Sequence, residues 1–220
     1  MYRESAGLNK FGTFLYLCDN FCMKKIGITG NIACGKSISY EIIKTEGYPI
    51  IDCDDIVKSF YNNNIFISEM AKEFPQIIIH NKIDLKILSE LIFSDKNFKD
   101  DFEKFIFPKV REEIIDFFEK CRVRRLTHLP FDKIFVIVPL LFEAGFEDLF
   151  DKIIFISSDE NIRKERLISR NSMLSDMADN VIKLQMKEEE KIPKCDYVIK
   201  NNTTIEDFNC SIKKLIYLNF

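Results

Sequence analysis

The feature that most constrains this chain is Gly30-Asn31-Ile32-Ala33-Cys34-Gly35-Lys36-Ser37, an instance of G-x-x-x-x-G-K-[ST]. The pattern has chemical meaning only between a strand and a helix. There, loop N–H groups and the helix N-terminus together cradle phosphate oxygens. Both flanks comply. Lys24 to Thr29 is a short apolar run suited to a buried strand, and Ile38, Ile42 and Ile43 recur at helical spacing after the loop. The residues expected to bind a nucleotide are therefore Gly30, Asn31, Ile32, Ala33, Cys34, Gly35, Lys36, Ser37 and Ile38. Lys36 should reach the β- and γ-phosphates, and the Ser37 hydroxyl should bind Mg²⁺. A chain with these features binds a nucleoside triphosphate.

A second strand ends at Ile50-Ile51, with Asp52, Asp54 and Asp55 close behind. In an open parallel sheet, ligands bind beyond the strand C-termini. Carboxylates delivered there, beside a phosphate loop, can take a proton from an attacking hydroxyl or help hold Mg²⁺ through water. The competing role for Asp54 is to cap a helix from Asp55 to Tyr61. Lys133 to Val138, Lys152 to Ile156 and Asp196 to Ile199 supply three further strands, and Glu143 lies just beyond the first of them.

Between the second and third strands, apolar residues recur at helical intervals from Ile65 to about Arg125. Pro108 is expected to kink or divide the last of these helices. This is too much helix for one crossover, and it reads as an inserted helical subdomain over residues 61–126. After the fourth strand, Ser157-Ser158-Asp159 should cap a helix carrying Arg163, Lys164, Arg166 and Arg170. Arg166 and Arg170 share a face, where cations suit a transferring phosphate; the plain alternative is a solvated basic helix. Another amphipathic helix is expected from Ser175 to Lys187, and Thr204 with Asp207 should open the last helix in the manner of a capping box.

Several classes are disfavoured. Asn81-Lys82-Ile83-Asp84 matches the guanine-recognition pattern N-K-x-D, but no D-x-x-G follows the phosphate loop. Asn81 and Asp84 read instead as a turn into a helix at Leu85. A net charge of −3 argues against a nucleic-acid binder. The seven cysteines form no C-x-x-C pair, which argues against a metal site and for free thiols; Cys34 stands out because it lies inside the phosphate loop. No stretch has the length of a membrane span, and residues 1–22 lack the h-region of a secretory signal. Those residues are read as an N-terminal extension before a module at 23–220. The expected setting is the cytoplasm, with organellar targeting by the extension left open.

The order of motifs resembles the dephospho-CoA kinases, the last enzymes of coenzyme A synthesis. The similar stretches are Ile26 to Ser37, Ile50-Ile-Asp-Cys-Asp54, Leu88-x-x-Leu-Ile-Phe93 and Val138-Pro-Leu-Leu-Phe-Glu-Ala-Gly145. Arg166-x-x-x-Arg170, Gln185-x-x-x-Glu189 and Asp196-Tyr-Val-Ile-x-Asn201 follow in order. The resemblance implies an α/β P-loop kinase fold with a five-stranded parallel sheet flanked by helices. The core would be 23–60, 130–158 and 195–220, the CoA-binding insertion 61–126, and a mobile helical lid 159–194. It also implies ATP and Mg²⁺ as cofactors and transfer of the γ-phosphoryl group to the ribose 3′-hydroxyl of dephospho-CoA. Asp54 would be the catalytic base, Arg170 the lid arginine and Asn201 a residue near the adenine, with Asp52, Asp54 and Glu143 on the acceptor side. The implied protein acts as a monomer without nucleic-acid or membrane partners. Three positions depart from the family pattern: Phe107 before Pro108 in place of His, Asn171 after Arg170 in place of Asp, and Ile38 after Ser37 in place of Thr. The alternatives are another small-molecule P-loop kinase, such as a nucleoside monophosphate kinase, and a non-catalytic nucleotide-binding regulator.

Overall fold

A computed structural model describes residues 23–125, 131–171, 175–183 and 185–218. The chain begins with β1 (Lys24–Thr29), α1 (Lys36–Thr45), β2 (Ile50–Asp52) and α2 (Cys53–Phe60). Next come α3 (Asn64–Glu73), a hairpin of β3 (Ile78–Ile79) and β4 (Lys82–Ile83), α4 (Leu85–Ser94) and α5 (Lys96–Arg125). Then follow β5 (Lys133–Ile137), β6 (Lys152–Ser157), α6 (Glu160–Asn171), α7 (Ser175–Lys183), α8 (Glu188–Lys191), β7 (Tyr197–Lys200) and α9 (Ile205–Ile216). Five strands form one parallel sheet in the order β2-β5-β1-β6-β7.

Side-chain alternation along the strands divides the core between the two sheet faces. Ile134, Val136, Val138 and Ile153 pack with the apolar residues of α2 to α5, whereas Phe135, Ile137, Ile26, Ile28, Ile154 and Ile156 pack with α1 and α9. Cover on both faces explains why the strands read as unbroken apolar runs.

The segment from α3 to α5 departs from the sequence reading in two ways. Residues 78–83, read only as an apolar run and a turn into the helix at Leu85, form a short hairpin, because His80 and Asn81 both adopt positive φ (49° and 59°), as a tight two-residue turn requires. Asp84 then caps α4, its carboxylate accepting from the N–H groups of Lys86 and Ile87. The second departure is that α5 runs on through Pro108. A proline inside a helix costs about 3 kcal/mol. Here Phe98, Phe102, Ile106, Val110, Ile114 and Phe118 are buried four residues apart on both sides of it, in one apolar cluster. Burying each such side chain is worth about 1.5–3 kcal/mol, so packing outweighs the proline.

Strand register brings the chemistry to one edge. Ile28 lies opposite Ile137, and Ile137 opposite Asp52. The loop leaving β1 and the acid ending β2 therefore emerge together at the C-terminal edge of the sheet.

Candidate active site

The loop from Gly30 to Gly35 depends on its glycines. A Cβ on Gly30 would lie 2.3 Å from the Ile156 carbonyl oxygen, and one on Gly35 would lie 2.3 Å from Asn201 Nδ2. Gly35 has φ 113°, and Ala33 is also left-handed at φ 60°. This winding turns successive N–H groups outward into a nest. Among the described residues, the N–H groups of Ala33, Gly35, Lys36 and Ser37 donate to no protein acceptor. Lys36 Nζ donates to the carbonyls of Gly30 (2.7 Å) and Asn31 (3.0 Å), which holds the ammonium at the loop.

Cys34 is completely buried, in an apolar cluster with Ile26, Ile28 and Phe208. Burial raises its thiol pKa, and the nearby Lys36 ammonium only partly offsets this. Asn201 Nδ2 donates to the Cys34 carbonyl (2.7 Å), so Asn201 braces the loop from behind and does not line the cleft.

On the facing wall, α2 starts at Cys53, two residues earlier than the sequence suggested. Its cap is Asp52, whose carboxylate accepts from the Asp54 N–H at 2.9 Å. Burial raises the Asp52 pKa, with the bond from Asp54 N–H acting against it. Because Asp52 supplies the cap, the Asp54 carboxylate is not needed for it. Asp54 is exposed, and among the described residues its carboxylate has no hydrogen-bond or ion-pair partner.

An open cleft of about 830 Å³ lies between the loop residues Ile32 to Ile38, Asp54 and the α6 residues Arg166 and Ser169. A second, mostly apolar cavity of about 80 Å³ is lined by Asp54, Val57, Phe107, Leu140 and Phe146. Asp54 borders both. The oxygen-bearing side chains lining the cleft are the exposed Ser37 hydroxyl and the Asp54 carboxylate by the loop, with Glu165 and Ser169 on α6 and the amide of Gln185, and no group of three or more potential metal-ligating side chains occurs among the described residues. A sparse oxygen set of this kind suits Mg²⁺, which keeps several waters and takes further ligands from phosphates.

A model of the dephospho-CoA kinase family matches residues 24–207. The chain belongs to the dephospho-CoA kinase family. The dephospho-CoA kinase of Fusobacterium nucleatum is 34% identical over 185 residues, 83% of this chain and 91% of that protein. The solved dephospho-CoA kinase from Campylobacter jejuni aligns with a TM-score of 0.62 at 31% identity, covering 87% of this chain and 94% of that one. A crystal structure from Thermus thermophilus aligns with a TM-score of 0.73 at 27% identity over 89% of this chain and 97% of that one. The α/β fold with a five-stranded parallel sheet is therefore that of a P-loop kinase in this family.

Within this dephospho-CoA kinase family member, the remaining expected residues are placed as follows. Glu143, expected beside an acceptor, lines neither cavity. It pairs at 2.8 Å with Lys191, which is completely buried. Arg170 is near the end of α6, and its side chain and that of Asn171 lie outside the described residues, as do residues 1–22. Phe107 occupies the wall of the small cavity, edge-on to Phe146.

Two residues that the sequence singled out without a specific contact are placed against the loop. Arg166 reaches from α6 to the Ala33 carbonyl (3.2 Å) and the Asn201 carbonyl (3.0 Å), tying helix, loop and β7 exit together. Its spacing from Arg170 was the signal available. Gln185 accepts from the Ile32 N–H at 2.7 Å, across most of the chain, and a pattern of hydropathy gives no sign of that bond. The α6–α7 pair also touches the loop through an apolar cluster of Leu167, Ala178 and Ile182 against Ile32 and Ala33. Among the described residues, no helix is long and apolar enough to cross a membrane.

Proposed function

We propose that this chain transfers the γ-phosphoryl group of ATP to the ribose 3′-hydroxyl of dephospho-CoA, giving CoA and ADP, the last step of coenzyme A biosynthesis. The observation that carries this reading is Asp54: an unpartnered carboxylate bordering both the cleft of the phosphate loop and the apolar cavity beside Phe107. A regulator that only binds nucleotide has no use for a carboxylate in that position.

In this reading the unpaired N–H groups of Ala33, Gly35, Lys36 and Ser37 hold the β-phosphate, with the N-terminus of α1 behind them. Lys36 exchanges its two carbonyl acceptors for β- and γ-phosphate oxygens. Asp54 takes the proton of the 3′-hydroxyl as the new O3′–P bond forms and the bond to the ADP oxygen breaks. Mg²⁺ would be held by the Ser37 hydroxyl, with Asp52 or Asp54 through water, and supplies neutralisation of the phosphate charge. The stretch 61–126 holds the acceptor, residues 159–194 act as the lid, and Arg170 stabilises the transferring group. The protein works as a single chain, on a small-molecule substrate, in the cytoplasm.

The test is ADP release with ATP, Mg²⁺ and a panel of dephospho-CoA, AMP, UMP, CMP or no acceptor. Release is expected with dephospho-CoA alone, with a matching one-phosphate mass gain on the acceptor. Preferential turnover of a nucleoside monophosphate would replace this reading with the other kinase class.

A further inference from the structure

We propose that Gln185 grips the terminal phosphoryl group during transfer, through the two N–H bonds of its side-chain amide. This rests on the kinase reading above and adds a residue to the same site. Ile32 offers a backbone N–H, so the atom of Gln185 facing it must be the acceptor Oε1 (2.7 Å). The amide Nε2 is therefore turned away from the loop backbone. Among the described residues, Nε2 has no hydrogen-bond partner, and Gln185 lines the cleft together with Lys36, Ser37 and Asp54.

The position along the loop assigns the phosphate. Asn31 C=O and Ile32 N–H belong to one peptide unit. Lys36 Nζ bonds the carbonyl of that unit at 3.0 Å, and Gln185 bonds its N–H. Lysine at this place in the motif serves the β- and γ-phosphates. A residue gripping the same peptide from its other side therefore stands by the terminal phosphoryl and not by the nucleoside.

The chain around Gln185 is built to hold it still. Its own N–H bonds the Ile182 carbonyl at the end of α7, and Met186 packs against the large apolar cluster. Beyond it, Glu188 accepts from the Ser157 hydroxyl at 2.6 Å and Lys191 pairs with Glu143. The donor is thus pre-placed by the sheet edge, which is the arrangement that lowers a barrier when charge moves onto a transferring group.

The experiment compares Gln185→Glu and Gln185→Ala in the full chain, by affinity for Mg²⁺·ADP and for a non-hydrolysable ATP analogue, and by kcat with dephospho-CoA. The Gln185→Glu change keeps an oxygen for Ile32 N–H while replacing the donor with a charged oxygen, so only the phosphate contact changes. For Gln185→Glu, the analogue should bind about tenfold or more weaker relative to ADP, at unchanged melting temperature. For both variants kcat should fall about 10²-fold. A Gln185→Glu protein with wild-type kcat and a wild-type analogue-to-ADP ratio would overturn the proposal, as would equal weakening of both nucleotides, which marks a loop brace. Tighter binding of both nucleotides to Gln185→Ala would also overturn it, marking a plug. If wild-type protein leaves dephospho-CoA unphosphorylated but the analogue-to-ADP ratio still shifts in the variant, the acceptor assignment fails and Gln185 stands.

Discussion

Replacing Glu143 with Ala should destabilise the protein without touching the chemistry. Among the described residues Lys191 forms its one ion pair with Glu143, at 2.8 Å, and the Lys191 side chain has no exposed surface. Removing one member of a buried pair leaves an uncompensated charge and costs about 3–5 kcal/mol. The Glu143 side chain is itself 21% exposed, so water reaches the gap and the lower end applies, about 3 kcal/mol. For a domain of this size that is a drop in Tm of about 6–12 °C. The assay is urea and thermal unfolding of wild type, Glu143→Ala, and a Glu143→Leu/Lys191→Met double variant. The double variant should recover most of the loss, because apolar replacement of a whole buried pair is often neutral or better. KM for the acceptor, measured below the transition, should stay within about threefold in Glu143→Ala. Unfolding within about 1 kcal/mol of wild type, together with a large rise in acceptor KM, would refute the structural role and return Glu143 to the substrate.

Two further outcomes separate cap from charge and backbone from side chain. Asp52→Ala should lose about 1 kcal/mol of stability while Asp52→Asn stays near wild type, since Asn caps a helix as well as Asp does; equal losses in urea unfolding would deny Asp52 the cap. Gly35→Ala should lose about 1–3 kcal/mol and most of its nucleotide affinity, because the new methyl meets Asn201 Nδ2 at 2.3 Å in a backbone at φ 113°. Calorimetric ATP binding within a few-fold of wild type would show that the loop tolerates the shift.

The phosphate loop and the five sheet strands were legible because a spaced motif and apolar runs are local signals. The β3–β4 hairpin was not, since its turn is His80-Asn81 and carries no glycine to announce positive φ. Pro108 suggested a break, but the decision lay with the apolar stripe packed on both sides of it. Three acids within four residues could each have capped α2, and only coordinates show that Asp52 does so and leaves Asp54 available. Glu143 was read on the acceptor side because it follows a strand end, and its pairing with Lys191, distant in sequence, could not be read from local pattern. Gln185 meets the loop through a single tertiary bond, which periodicity cannot encode.

Proton transfer rests on Asp54, and the most direct measurement is steady-state turnover of Asp54→Asn beside its ATP affinity by calorimetry. With Asp54 as general base, kcat should fall about 10²–10⁴-fold while the Kd for ATP stays within a few-fold. Turnover close to wild type would contradict a general-base role and remove Asp54 from the proton transfer.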